Sequence, residues 1–347
     1  MRPWSRGLLL AVVGLLLLLP ARPASADPAR PTNYRSDVTD LVDGAGGSVS
    51  GVTAEVVGGD TYLVLGVTGA EQVEVPGYEG EPYLRFDGDG RVEVNVRSPA
   101  RWLNDARFGA LEVQVPPTAD AEAAPQWETV ATNGRYAWHD HRIHFMSPTL
   151  PDDVDPTAGT TQEVFAWEVP LVVDGAPARI EGTLVWLPGP PVGLPIALAA
   201  LTLAAAVGLG RRPTPDRGVA VVTVGLAALA AGTVATVSSP PGGEAEPALI
   251  VLPAVGVAVG LLARLRPGVT GVGGWLTDAA AIPLLGWGLW SVTVWWRPIA
   301  PTPLPIGIVR GLVAAALAVG LAGMVALGRR ALQAIALDDG DVDPSTR

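Results

Sequence analysis

Hydrophobic and polar positions are arranged in two different ways along this chain. As far as about residue 187, apolar residues come in short runs, several with every second position polar, separated by glycine, proline and aspartate. Side chains alternate between faces along an extended chain, so such runs predict β-strands. Nine are expected, at 48–57, 61–67, 72–75, 83–86, 92–97, 111–115, 142–146, 163–173 and 179–187. Asp87-Gly88-Asp89-Gly90 separates two of them and predicts a hairpin, because these residues tolerate the backbone of tight turns. Apart from one helical turn within 98–108, no amphipathic helix competes. The expected fold is a mainly β domain, an immunoglobulin-like sandwich or an open barrel.

From Val192 the apolar residues fuse into five long stretches, 192–210, 218–237, 248–263, 274–296 and 304–327. A helix crosses a bilayer core with about 20 apolar residues, so these predict an α-helical membrane domain of five transmembrane helices. The third is the weakest, being short and containing Pro253. Arginines fall in alternate connections: Arg211, Arg212 and Arg217, then Arg264 and Arg266, then Arg329 and Arg330. The intervening loops hold Glu244 and Glu246, or Arg297 alone among prolines. Positively charged loops stay on the cytoplasmic side, which predicts a multi-pass cell-membrane protein with its N-terminal domain extracytoplasmic and its C-terminus cytoplasmic.

The first residues supply an independent reason for that orientation. Arg2 and Arg6 precede the apolar run Leu8–Leu19, and Ala24-Ser25-Ala26 offers a small-x-small cleavage site, the three parts of a secretory signal peptide. The expected organisation is a signal at 1–26, an extracytoplasmic domain at 27–191, the membrane domain at 192–330 and a tail at 331–347. Pro188-Gly189-Pro190-Pro191 makes a short stiff tether between domain and membrane.

Composition narrows the chemistry. The chain has no cysteine and no lysine, which excludes disulfides, thiolate metal sites, cysteine nucleophiles and Schiff-base catalysis. Residues 27–191 hold 26 acidic against 10 basic residues, a balance of −16, so nucleic acid is not an expected partner. The expected partners are the lipid bilayer and an envelope or membrane protein. No nucleophile elbow, phosphate-binding loop, dinucleotide fingerprint or H-E-x-x-H motif occurs, and the protein is read as a non-enzyme.

All three histidines lie within Trp138-His139-Asp140-His141-Arg142-Ile143-His144-Phe145-Met146. Imidazole is the commonest transition-metal ligand, and on an extended strand His139 and His141 would share one face as a two-residue chelate. His144 would then join through a bulge or a strand end. Met146 would add a soft ligand and Asp140 a carboxylate, giving a candidate site for copper, the favoured ion, or zinc. Two other readings of the segment stand beside this one: a hydrogen-bonded structural cluster, with Asp140 and Arg142 pairing to orient the imidazoles, and a recognition surface for a protein partner. Asp278 and Arg310 are the ionisable residues inside the apolar stretches. They fall near opposite membrane faces, so both are expected to reach an interface rather than each other.

Thr32-Asn33-Tyr34-Arg35, Gly77-Tyr78-Glu79-Gly80-Glu81-Pro82-Tyr83-Leu84, Ser98-Pro99-Ala100 with Leu103-Asn104, and Trp138–His144 resemble segments of an uncharacterised actinobacterial family. Its members have a secreted β-rich domain followed by C-terminal membrane helices. The resemblance implies the same architecture and a cell-envelope location, and no catalytic role. A feature of one common pattern of exported copper-handling proteins, a mature N-terminal histidine, is missing, since the expected first residue is Asp27.

Overall fold

A computed structural model describes residues 28–68, 72–243, 246–265 and 272–340. The expected signal peptide, Asp27, Glu244, Arg266 and the end of the tail at 341–347 lie outside the described residues.

The N-terminal region is antiparallel β-structure in two sheets. Its strands are β1 (Tyr34–Asp43), β2 (Val52–Val57), β3 (Tyr62–Val67), β4 (Val73–Pro76), β5 (Pro82–Phe86), β6 (Val92–Asn95), β7 (Trp127–Ala131), β8 (Arg135–Trp138), β9 (Gln162–Val173) and β10 (Ala176–Trp186). A seven-stranded sheet runs β1-β10-β9-β4-β5-β6-β7, and a three-stranded sheet runs β2-β3-β8. Leu63, Leu65 and Trp138 of the small sheet pack with Val75, Leu84, Phe86, Val169, Ile180 and Leu184 of the large one in a single core. The opposite face of β3 is also covered, since Tyr62 and Val64 pack with Ala137, Ala29 and Val57. Burial on both faces explains why Tyr62–Val67 is nearly continuously apolar rather than alternating.

Two expected strands are absent. Residues 111–115 hold the end of a short 3-10 turn (Gly109–Leu111), and 142–146 hold another (His141–Ile143) followed by irregular chain. The second departure has a local cause: the Asp140 side chain accepts from the Arg142 backbone N–H, removing a ladder donor and starting a turn. Three strands lacked the sequence pattern. β1 is an edge strand, charged and only partly buried, and β7 and β8 have five and four residues. Gly134 lets the chain pass from β7 in one sheet to β8 in the other. Its φ is +67°, and an added Cβ would meet the Val67 carbonyl oxygen at 2.5 Å. The helical turn expected within 98–108 is α1 (Pro99–Leu103).

The apolar stretches form α2 (Gly193–Gly210), α3 (Thr214–Val237), α4 (Ala248–Arg264), α5 (Val272–Ala279), α6 (Ile282–Ser291) and α7 (Ile306–Gly340). Three of these, α2, α3 and α7, are long and apolar enough to cross a membrane, and α4 is a shorter apolar helix of 17 residues. The fourth stretch is broken between α5 and α6 just before Pro283, then ends in a 3-10 turn (Val292–Trp295). The chain beyond Arg330 continues α7 instead of leaving it.

Asp278 is neither solvated nor unpaired. It is 1% exposed, and its carboxylate accepts from Arg217 of α3 at 2.9 and 3.0 Å and from Arg330 of α7 at 2.7 Å. Arg330 also donates to the Thr214 hydroxyl. Three helices thus meet on one carboxylate, and two arginines that read as loop charges are spent on it. Arg310 instead donates to the carbonyls of Val294 and Arg297.

The β region and the helices are joined by backbone. Thr32 and Ile299 exchange both N–H···O bonds, at 3.1 and 3.2 Å, and the Ala137 N–H of β8 donates to the Pro241 carbonyl at 2.7 Å. Arg297 donates to the Asn33 side chain. The strand that leads into the histidines is therefore seated on the α3–α4 loop.

Candidate metal centre

His139 directly follows β8, whose pairing with β3 places Trp138 opposite Leu63. Asp140 is the hinge of the turn after it. Its fully buried carboxylate accepts from the Trp138 indole at 2.7 Å and from the Arg142 guanidinium at 2.8 and 2.6 Å. Arg142 also donates to the Pro76 carbonyl and lies over the Tyr78 ring. The turn so fixed swings His141 and His144 back toward His139.

The three imidazoles converge. Ring centroids are 4.6 Å apart for His139–His144, 5.4 Å for His141–His144 and 5.9 Å for His139–His141. One nitrogen from each lies within 4.8 Å of the others. Two nitrogens on one tetrahedral ion at about 2.1 Å stand about 3.4 Å apart, so closing on a metal draws the most separated pair together by up to about 1.4 Å. Rotation about the side-chain torsions can supply that.

Hydrogen bonding determines which nitrogens are free. The His141 Nε2 donates to the Ala106 carbonyl at 2.9 Å, which leaves Nδ1 as the lone-pair atom. Tyr78 stacks on the same ring at 5.4 Å, and its hydroxyl accepts from the His141 N–H while donating to Asn104. His144 Nδ1 has a long contact of 3.4 Å to the Phe145 carbonyl, and its Nε2 has no partner. His139 has no partner at either nitrogen, and Tyr62 packs edge-on against its ring. The Thr61 backbone lies close to the His139 ring without completing a hydrogen bond. Eight buried side-chain N or O atoms among the described residues lack a hydrogen bond, and three of the eight belong to these two histidines. Each such atom costs about 1–3 kcal/mol, so concentrating them in one place needs a reason.

The electrostatics agree with that picture. Burial, reinforced by Arg107 and His141, pulls the His139 pKa down to about 3. The same burial, with His139 and Arg107 nearby, holds His144 well below the ordinary imidazole range, and burial lowers His141 too. All three rings are neutral at pH 7, the form that binds metal, so no proton has to leave first.

Of the five candidate ligands, then, the fold gathers His139, His141 and His144. The Asp140 carboxylate is turned to Trp138 and Arg142, and Met146 is 38% exposed. His139 also lines a cavity of about 370 Å³ with Tyr34, Thr61, Arg107 and Trp186. The surroundings had no sequence signature: Asp60, which is fully buried and ion-paired to Arg107, Ala106, and Gly109, whose backbone lies beside the His141 ring. They come from a loop and a β-turn far from the histidines in the chain, brought there by the two-sheet core. Comparison with protein-family models, curated proteins and solved structures finds no match.

Proposed function

We propose that this protein is a membrane-anchored, non-enzymatic transition-metal-binding protein of the cell envelope, whose external β domain holds one ion through His139, His141 and His144. The observation that carries the reading is the concentration of unpartnered nitrogen atoms on neutral, mutually facing imidazoles. A metal would take one of these nitrogens from His139 and one from His144, together with the lone pair of His141. Asp140 then serves as the group that orients the turn, and Met146 stays outside the ligand set. Three nitrogen donors fit both Cu(II) and Zn(II), and the general order of divalent affinities puts Cu(II) first.

The anchor is five crossings. A 17-residue α4 spans about 25 Å, and α5 with α6 act as one crossing because only two residues separate them and together they cover positions 272–291, about 30 Å as helix. The bundle end that carries Arg211, Arg212, Arg217 and Arg330 is opposite the end that meets the β domain at Pro241 and Ile299. That supports an extracytoplasmic β domain built as a sandwich, with an N-terminal signal removed before Asp27. It also agrees with the architecture of the actinobacterial family that the sequence resembles.

Calorimetric titration of the detergent-solubilised full chain with Cu(II) and Zn(II) tests the reading. Binding tighter than about 100 μM that disappears when the three histidines become alanine supports it. Weaker binding, or binding that survives the replacement, overturns it and leaves the histidines as structural elements of an interaction module.

A further inference from the structure

A second cavity, of about 380 Å³, lies where the β domain meets the helices. Its walls are largely apolar, with Trp287, Leu289, Trp290 and Leu304 among them. It shares Arg30, Pro31 and Arg297 with the more polar cavity that reaches His139, so the two adjoin at a pair of arginines. Among the described residues, Glu246 is the only acidic one in either wall. Arg107, in the polar cavity, is neutralised by Asp60. Arg30 rests its guanidinium 5.9 Å from the Trp290 ring centre and Arg297 donates to the neutral Asn33, and neither has a carboxylate partner among the described residues.

Cationic side chains at a bilayer surface, with an apolar slot beneath and a polar chamber above, match an amphiphile with an anionic head. We infer that the two cavities form one binding site for an anionic phospholipid, its phosphate between Arg30 and Arg297 and an acyl chain in the slot beside Trp287 and Leu289. Arginine suits this role because its planar fork gives two parallel donors to a phosphate. Basic pockets between membrane helices recognise lipid head groups by the same physics. Interfacial tryptophans place the arginines at headgroup depth. The site is independent of the metal reading, since none of its arguments uses the free imidazole nitrogens.

The test uses the full chain in a neutral detergent with chelator present, so that metal plays no part. Native mass spectrometry then compares phosphatidylglycerol with phosphatidylcholine of identical chains. The expected result is roughly tenfold or greater preference for phosphatidylglycerol, because both lipids offer the phosphate but the choline of phosphatidylcholine sets a positive charge beside the two arginines. Arg30→Gln with Arg297→Gln should erase the preference. Arg30→Gln alone should reduce it several-fold, and because the Arg30 guanidinium has no hydrogen bond or ion pair among the described residues, this variant decides the matter if the double variant fails to fold. Ala235→Trp, which fills the apolar cavity, should weaken both lipids. Equal retention of the two lipids overturns the inference, as does a preference that survives either arginine variant. Competition by inorganic phosphate at concentrations equal to the lipid would also overturn it, making the site one for a soluble anion.

Discussion

The molecule buries two clusters of ionisable side chains, and they are built on opposite terms. In the helical bundle, Asp278 is surrounded by Arg217, Arg330 and Thr214, and every oxygen has a donor. In the β domain, His139 and His144 are equally buried, yet three of their nitrogens face no partner. A satisfied charged cluster is complete as it stands and ties α3, α5 and α7 together. An unsatisfied neutral one is complete only with a ligand. Burial alone therefore does not mark a functional site; burial with open valences does.

The largest effect should come from breaking the satisfied cluster. Asp278→Ala leaves the buried Arg217 guanidinium and the partly exposed Arg330 guanidinium without their counter-charge, which costs up to about 3–5 kcal/mol. A large drop in the thermal midpoint of the solubilised protein is expected, with Cu(II) affinity unchanged in the fraction that remains folded. A midpoint within a degree or two of the parent would show that Asp278 is not a tie between helices.

Acid should separate the clusters next. The histidine pKa values are depressed in the folded chain, so below the ordinary value of about 6.5 the unfolded chain takes up protons that the folded chain refuses. The contribution is fully present above that value and is lost as pH falls from it toward the folded values, about 3 for His139. Stability of the metal-free protein should fall between pH 6.5 and 5, approaching about 1.4 kcal/mol per pH unit for each of His139 and His144. Asp87, held below its usual range by Arg91, titrates lower, and Asp60, raised by burial, contributes with the opposite sign, so a fall in stability over this window still reports the histidines. Denaturant melts at several pH values check the slope, and a flat profile over the window contradicts the neutral buried state.

His139→Leu reverses the expected sign. It removes two buried nitrogens without partners, so the metal-free domain should keep its stability or gain about 1–3 kcal/mol, while Cu(II) binding collapses. A structural histidine predicts the opposite on both counts, and chemical denaturation alongside calorimetry distinguishes them.

Much of this contrast could be read from the sequence, but unevenly. The histidine cluster was visible because His139, His141 and His144 crowd six positions and occur nowhere else. Its convergence was expected on a strand and arises instead from a turn, since period-2 arithmetic takes no account of Asp140 capturing the Arg142 N–H. The long strands and apolar helices were legible because each repeats its period over many residues. Edge strand β1 and the short β7 and β8 were not, because their side chains meet solvent or too few neighbours to impose a pattern. Asp278 was read by its depth along one helix, whereas its partners come from two others, and nothing local announces such a contact. Arg107 and Asp60 beside the site were silent for the same reason.

The smallest expected effect probes how closely the free cluster is tuned. Gly109 holds φ at +53°, and a Cβ there would stand 2.6 Å from Cε1 of His141. Gly109→Ala must therefore displace the ring, whose bond to the Ala106 carbonyl fixes the tautomer that presents Nδ1. Backbone strain at this φ costs roughly 1–2 kcal/mol. Because His141 is held from outside the triad, the displacement should weaken Cu(II) more than it lowers the thermal midpoint, whereas the Asp278 cluster, with no route to this loop, should be unaffected. Calorimetry and a melt on the same preparation compare the two quantities. Equal loss in both would mean that the loop supports the fold generally and that the position of His141 is not what the glycine protects.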